Sequence, residues 1–178
     1  VIFGALAPVL SDRVIADCGS PLWNVYFQGR QPDGRRFVKM FFMNGGHGAR
    51  QGRDGPACLS FPSNVATVSV ERFESSVPLR ITEKAILEDS GGAGRWRGGD
   101  GVLRELTALE PLTVSLLTGS REQAPFGLSG GADGARGANS LIRAEGCEQP
   151  LGGCAVVELA PGDRVRIATP GGGGYGVP

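Results

Sequence analysis

The sequence predicts a mainly β fold of the α+β class, with antiparallel or mixed sheets and long, ordered, glycine-rich loops. Short β-branched and aromatic runs bounded by turn residues dominate the chain, whereas helical periodicity is sparse. Glycine accounts for 30 of the 178 residues, more than twice its average share of about 7%. Because 40% of the residues are hydrophobic, the chain can still bury a packed core, which argues against low-complexity disorder.

Five apolar runs are predicted as strands, and in chain order they are residues 36–43, 102–109, 112–118, 154–159 and 164–169. The first run ends at a glycine cluster, as a buried strand entering a turn does. Glu110-Pro111 separates the second run from the third, which predicts a hairpin or a corner. The last run alternates arginine with valine and isoleucine, so it has one charged and one apolar face.

Helical signals are few. Residues 64–74 are predicted as either a short helix or an extended segment, and residues 1–10 as a fragment of a helix. If the first segment is helical, Glu71 and Glu74 share a face and form a carboxylate pair; a solvated face or a salt bridge with a nearby arginine is the alternative. No linker composition interrupts the chain, so residues 1–178 are predicted to form a single unit.

The charge balance and the residue inventory exclude several function classes. Eighteen basic and eighteen acidic residues cancel, so neither nucleic acid nor a membrane surface is an expected partner. The only lysines, Lys39 and Lys84, follow no glycine, which excludes a GxxxxGK[ST] phosphate loop. A single histidine excludes an HExxH metal site. The four cysteines are expected to be reduced, mostly buried thiols, with a Cys147–Cys154 disulfide as the alternative.

Four glycine clusters carry most of the functional information, and they span residues 44–55, 89–101, 121–137 and 169–176. Consecutive glycines let backbone N–H groups converge on an anion, and an adjacent arginine can complete such a site. For the first cluster the alternative is a tight turn with a surface Arg–Asp pair. In the second cluster, an arginine can instead fasten the loop internally to Asp89. The last cluster is either a free tail or an ordered tail beside a site.

Five strings, in this order, resemble the C-terminal part of the hydantoinase B/oxoprolinase family. They are GGHGARQGRDG (45–55), FPSN with VERFE (61–64 and 70–74), DSGGAGRWRGGDGVLRE (89–105), SREQAPFGLSGG (120–131) and GDRVRIATPGGGGYG (162–176). The resemblance spans the chain from about residue 17 onward. It implies that residues 1–178 are a C-terminal fragment of a longer B-type subunit.

The resemblance implies a cytoplasmic, ATP-dependent hydrolase of cyclic amides, of the 5-oxoprolinase or N-methylhydantoinase type. Such an enzyme opens 5-oxoproline or hydantoin rings in an oligomer with a hydantoinase A-type subunit or domain. ATP and a divalent metal are implied for the complete enzyme, but no motif of this chain binds either, and the fragment alone is expected to be inactive. One alternative is a subunit of an acetone- or acetophenone-type carboxylase, and another is a non-catalytic assembly module.

The implied chemistry suggests which residues form the site. Phosphorylation of an amide oxygen creates an anionic intermediate with a good leaving group, which arginines beside glycine strings are suited to hold. The anion-binding candidates are Arg50, Arg97, Arg121, Gly45, Gly46, Gly48, Gly91, Gly92, Gly94, Gly171, Gly172, Gly173 and Gly174. The sequence does not identify the residue that activates water; Asp54, Asp89 and His47 are the candidates, and a solvent-facing loop histidine is the alternative for His47. No residue is assigned to a metal.

Overall fold

Nine strands form two antiparallel sheets in the computed structural model, which describes residues 2–19, 23–63 and 65–178. The four-stranded sheet has the order β2-β1-β5-β8 and the five-stranded sheet the order β3-β4-β9-β6-β7. The strands are β1 Trp23–Arg30, β2 Arg36–Met43, β3 Leu79–Leu87, β4 Gly101–Ala108, β5 Leu112–Leu117, β6 Ala138–Ile142, β7 Glu148–Leu151, β8 Cys154–Leu159 and β9 Arg164–Ala168. The mainly β prediction is confirmed.

The two sheets bury their apolar faces in one hydrophobic core, because alternate residues of each strand point inward. Trp23, Val25 and Phe27 of β1 are all 0% exposed. Val165 and Ile167 of β9 are equally buried on the facing sheet. The intervening arginines of β9 point to the opposite face, so the predicted alternation along this strand is confirmed.

The outward face of the five-stranded sheet is stabilised by ion pairs. Arg164 and Arg166 of β9 lie 2.8 and 2.9 Å from the two carboxylate oxygens of Glu105 on β4. The register places Arg166 directly opposite Glu105. Two guanidinium groups therefore neutralise a carboxylate that is almost fully buried.

The predicted strand 36–43 is present at the same bounds as β2, and the other four predicted runs correspond to β4, β5, β8 and β9. Glu110-Pro111 forms a corner rather than a hairpin, because β4 and β5 belong to different sheets. The sequence prediction missed β1, β3, β6 and β7. In β7 the polar residues and proline of Glu148–Leu151 carry no strand signal, and pairing with β6 decides the conformation.

Helix is limited, within the described residues, to α1 Ile2–Leu6, α2 Val70–Glu74 and a 3-10 turn at Ser11–Arg13. The predicted segment 64–74 is thus helical only in its second half, and Asn64 lies outside the described residues. Phe73 of α2 enters the core, with ring centroids 5.8 Å from Phe27 and 4.5 Å from Phe41. Glu74 accepts a hydrogen bond from the Ile81 backbone N–H at 2.7 Å, which ties the helix to β3.

The thiol prediction is partly wrong. All four cysteines are free, but Cys147 and Cys154 are exposed, and only Cys18 and Cys58 are half-buried. Cys154 lies on β8, an edge strand, so one of its sides has no neighbouring strand to cover it. In the part of the chain that the structure describes, no helix is long and apolar enough to cross a bilayer.

Candidate functional site

The glycine strings pack together in a glycine layer, which we define as segments 44–49, 90–99, 125–134 and 170–176. Strands β2, β3 and β9 end one to three residues before three of these segments begin. The C-terminal string hydrogen-bonds to the other three. Gly172 N–H donates to Gly99 O and Gly174 N–H to Ala132 O, both at 2.9 Å, and Gly173 O accepts from Ala49 N–H at 2.9 Å. The segments are therefore held together backbone to backbone.

Close backbone approach explains why this layer requires glycine. A Cβ added to Gly172 would overlap the carbonyl oxygen of His47, and one added to Gly46 would overlap that of Gly99. Gly99 N–H in turn donates to His47 O at 2.8 Å, so these backbones also bond to each other. Only a residue without a side chain fits between segments at this spacing.

Most of the predicted anion-binding amides already donate hydrogen bonds within the protein, and four of them do so inside the layer. Gly91 N–H donates to Asp100 Oδ1 at 2.8 Å. Backbone carbonyls accept from Gly46, Gly92, Gly171, Gly172, Gly173 and Gly174. Gly45, Gly48 and Gly94 pack against backbone oxygens of other segments. The side chains along the layer, rather than these seven amides, are therefore the groups that remain available to a ligand.

Arg97 fastens its own loop, as the internal alternative predicted. Its Nη2 lies 2.9 Å from Asp89 Oδ1 and 3.4 Å from Asp100 Oδ1. The backbone N–H of Arg97 donates to Asp54 Oδ1 at 2.8 Å, which joins the second glycine cluster to the first. Arg97, Asp89 and Asp54 thus form one network, in which Arg97 is engaged by two carboxylates.

Three of the predicted side chains meet in a cleft of about 280 Å³, called here the His47 cleft. It is lined by His47, Gly48, Arg50, Arg53, Asp54, Pro56, Leu59 and Phe61. A two-residue turn presents both arginines, because the backbones of Arg50 and Arg53 exchange hydrogen bonds at 3.1 Å in each direction. The cleft therefore combines one imidazole, one carboxylate and two guanidinium groups.

The position of the His47 ring defines its hydrogen-bonding capacity. Its Nδ1 lies 2.7 Å from the carbonyl oxygen of Gly48, which can only accept, so Nδ1 carries a proton and donates it. In the neutral ring, Nε2 then has a free lone pair. Phe61 packs against the ring edge to face, with centroids 5.1 Å apart. His47 thus holds one orientation and one tautomer, as a general base requires.

Two further clefts continue from the His47 cleft. The middle cleft, of about 180 Å³, is lined by Phe3, Gly4, Ile15, Ala16, Asp17, Cys18, Phe61, Pro62 and Phe126. The Arg121 cleft, of about 520 Å³, is lined by Asp17, Thr118, Gly119, Ser120, Arg121, Glu122, Gln123, Ala124, Phe126 and Gly153. Phe61 lines the first two clefts, and Asp17 and Phe126 line the last two, so the three are contiguous.

Asp17 is a candidate that the sequence prediction missed. Burial raises its carboxyl pKa above the ordinary value, and the hydrogen bond from the Cys18 backbone N–H, at 3.0 Å, opposes this shift only in part. Burial likewise raises the pKa of the Cys18 thiol. No glycine or arginine pattern marks this segment in the sequence, so only its packing against Phe126 and the layer reveals it.

A metal implied by the family resemblance finds no ligand set here. Among residues 2–19, 23–63 and 65–178, no group of three or more His, Cys, Asp or Glu side chains comes close enough to bind an ion. His47 shares its cleft with two arginines, whose charge opposes cation binding. The residues present therefore do not fit a metal centre.

The same fold occurs in solved enzyme structures. The ATP-dependent caprolactamase from Pseudomonas jessenii superposes with a TM-score of 0.83 at 28% identity, covering 97% of this chain and 32% of its own. An acetone carboxylase in its nucleotide-free form superposes with a TM-score of 0.73 at 19% identity, covering 96% of this chain and 28% of its own. The second likeness, at such low identity, shows the fold alone.

Sequence comparison then defines the family. The model of the hydantoinase B/oxoprolinase family matches residues 1–178, and the chain belongs to this family, as its five strings predicted. The 5-oxoprolinase PfmaA of Pestalotiopsis fici is 42% identical over 142 residues, which is 76% of this chain and 11% of that protein. The chain thus spans about a tenth of this curated relative and about a third of the caprolactamase chain.

Proposed function

We propose that this chain is the C-terminal part of an ATP-dependent cyclic-amide hydrolase that opens 5-oxoproline or hydantoin rings. The observation that carries the proposal is the likeness to the caprolactamase, a lactam-opening enzyme by name, over nearly the whole chain. The match to 5-oxoprolinase PfmaA supports hydrolysis of the same class of bond, that of a cyclic amide. The active protein is an assembly with a hydantoinase A-type subunit or domain, located in the cytoplasm.

In this proposal the His47 cleft is where the chain contacts the reacting ring. Hydrolysis needs a base to take a proton from water, and Nε2 of His47 supplies the lone pair. It also needs positive charge where the amide oxygen becomes anionic, and Arg50 lines the same cleft. Arg121 lines a contiguous cleft, and Arg97 positions the loop that carries Asp54. The glycine layer holds the cleft walls at fixed spacing.

In this proposal, ATP and the divalent metal are bound by other parts of the complete enzyme. No ligand set for the metal exists among the described residues, and the sequence lacks a GxxxxGK[ST] loop. This chain's residues therefore contribute binding, orientation and proton transfer. Activation of the amide belongs to the hydantoinase A-type partner.

The test is a turnover assay on the intact complex with ATP and magnesium. 5-Oxoproline, hydantoin and N-methylhydantoin are supplied separately, and acetone with bicarbonate is the competing arm. We expect ring opening coupled to ATP hydrolysis. His47→Gln should lower kcat by about 10²- to 10⁴-fold, because it removes the base and leaves the backbone hydrogen bonds of the layer in place. Carboxylation of acetone in place of ring opening would replace the proposal with the carboxylase alternative.

Arg97→Lys tests the positioning role. It keeps the charge but loses the guanidinium whose Nη2 reaches both Asp89 and Asp100, so we expect a lower melting temperature and a lower kcat/KM for each assembled complex. Arg35→Lys, in the exposed turn between β1 and β2, is the matched control and should leave kcat/KM unchanged. If His47→Gln, Arg50→Gln and Arg97→Lys change only assembly or melting temperature, the chain is an assembly module rather than part of the active site.

The outer face of the four-stranded sheet favours an additional role in assembly. Val38 and Val156 are 70% and 71% exposed, and Tyr26, Met40 and Leu117 on the same face are also exposed. An exposed apolar face of this kind is typical of a contact surface. It supports the proposal that the chain works within a larger assembly.

A further inference from the structure

The Arg121 cleft contains a half-buried guanidinium group that no carboxylate neutralises. Among the described residues, no Asp or Glu forms an ion pair with Arg121, whereas Arg143 pairs with Asp163 at 2.7 Å and Arg164 with Glu105 at 2.8 Å. Burial lowers the pKa of Arg121, because nearby negative charge does not offset its desolvation. The chain thus neutralises its comparable arginines and leaves this one free to bind an anion.

The guanidinium of Arg121 is held in place by three neighbours. Its Nη2 donates to the carbonyl oxygen of Leu151 at 2.6 Å. Its carbon Cζ lies 5.9 Å from the centroid of the Trp23 ring, within cation–π range. Gly153 leaves room for its stem, since an added Cβ there would approach Arg121 Cγ to 3.4 Å. A preorganised donor loses little entropy when it binds a ligand.

One donor of this fixed group has no partner. Arg121 Nη1 is buried and makes no hydrogen bond. Three more buried atoms of the same region are unpaired as well, namely Trp23 Nε1, Asn24 Oδ1 and Asn139 Oδ1. Asn139 Nδ2 donates to Thr118 Oγ1 at 3.1 Å, and Thr118 lines the cleft. Arg121 and Thr118 therefore bring polar groups to the wall of the cleft.

Arg104 shows that burial alone does not make such a site. It is 3% exposed and also has no acidic partner among the described residues. Its guanidinium carbon, however, lies 4.6 Å from the centroid of the Phe41 ring, inside the core. Arg121 differs because it is only half-buried and its side chain lines a cleft of about 520 Å³.

We propose that the Arg121 cleft binds a small oxyanion, a carboxylate or phosphate group, through the guanidinium group of Arg121. Thr118, Ser120 and Gln123 supply neutral hydrogen-bonding groups in the same cleft. Asp17 and Glu122 also line it, so it suits a ligand of low total charge and repels polyanions. The sequence prediction names Arg121 as an anion-binding residue of the hydrolase site; this inference assigns a ligand class to its cleft and requires no particular reaction.

The test is an NMR titration of the complete ¹⁵N-labelled subunit that contains this chain, at constant ionic strength. Sodium acetate and sodium phosphate are added separately, with sodium chloride as the reference anion. The Arg121 Nε–Hε signal and the amides of residues 119–123 are followed. We expect saturable shifts with acetate, with phosphate or with both. The anion that produces them shows whether the site takes a carboxylate or a phosphate group. Linear shifts with both anions, equal to those with chloride, would overturn the proposal.

Variants then assign the binding to Arg121. Arg121→Gln should weaken binding at least tenfold, because the charge and the free donor are lost. Arg136→Gln, at an exposed loop position outside the cleft, should bind like the wild type. Arg121→Lys keeps the charge if the glutamine variant does not fold, and it should bind with intermediate affinity. Undiminished binding by the folded Arg121 variants would show that the anion binds elsewhere and would overturn the assignment.

Discussion

The hydrophobic core between the two sheets and the glycine layer are packed in opposite ways. In the core, side chains such as Leu106 and Ile167 fill the space between two sheets. In the layer, backbone lies directly against backbone, and carbonyl oxygens occupy the space where side chains would be. A core can relax around a missing methyl group, whereas a layer at backbone contact distance cannot accept an added one. The two regions should therefore respond differently to single-carbon changes.

The largest effect is expected from Gly172→Ala in the layer. The new Cβ overlaps the His47 carbonyl oxygen, which is itself fixed by the Gly99 N–H. We expect a loss of about 4 kcal/mol or more in the free energy of unfolding, or failure to fold. Urea denaturation followed by circular dichroism measures it.

Gly152→Ala is the matched control for the layer. Its nearest atom beyond the neighbouring residues is Cys154 O at 3.7 Å, an ordinary contact distance. The free energy of unfolding should change by no more than about 0.5 kcal/mol. Equal losses at Gly172 and Gly152 would refute the idea that backbone packing distinguishes the layer.

A smaller loss in the free energy of unfolding is expected in the hydrophobic core between the two sheets. Leu106→Ala removes a side chain that is 0% exposed and leaves a cavity, which should lower the free energy of unfolding by about 3 kcal/mol. Leu117→Ala, on the outer face of β5 and 54% exposed, should cost less than about 1 kcal/mol. The same urea titration measures both, and comparable losses would mean that burial does not govern stability in this unit.

The smallest of the three effects is a difference in the pH dependence of stability between the two regions. Burial alone would raise the pKa of Asp163. Hydrogen bonds from the Ala160 N–H, the Arg143 side chain and the Ala144 N–H nevertheless hold this pKa below its ordinary value. This carboxylate therefore stabilises the fold above its unfolded pKa, about 3.9, and that stabilisation is lost as pH falls through the lower folded value. The glycine layer, bonded mainly through backbone groups, contributes little pH dependence.

Asp163→Asn should reduce the free energy of unfolding at pH 7 by about 1–3 kcal/mol, because an amide donor replaces a buried acceptor. It should also flatten the decline in stability between pH 5 and pH 2. Melting temperatures across that range check both statements. If the melting temperature of the variant falls as steeply as that of the wild type between pH 5 and pH 2, other carboxylates control the acid sensitivity.

The strands that were predicted correctly are those whose own residues carry the signal. The run 36–43 is apolar along most of its length, and 164–169 alternates with period two. β7 is polar and contains proline, so its strand conformation depends on pairing with β6. The corner after β4 likewise depends on which sheet each strand joins. Local periodicity reports which face is buried, but it does not name the partner strand.

The candidate site was likewise predictable only in part. The sequence predicted His47, Arg50 and Asp54 as site residues, and one cleft contains all three. It also proposed free glycine amides, but most of them donate hydrogen bonds to other groups of the protein. Asp17 carries no sequence signal, because its burial comes from residues more than a hundred positions away, such as Phe126.

The sequence alone determined the mainly β class, the positions of the apolar strands, the need for glycine at four strings and the family. Each of these depends on residue type and spacing, which are local properties. The tertiary structure alone decided which backbones face each other, which carboxylates engage Arg97 and which half-buried arginine has no acidic partner among the described residues. Those outcomes depend on contacts between distant segments, where a difference of one ångström separates a hydrogen bond from a collision.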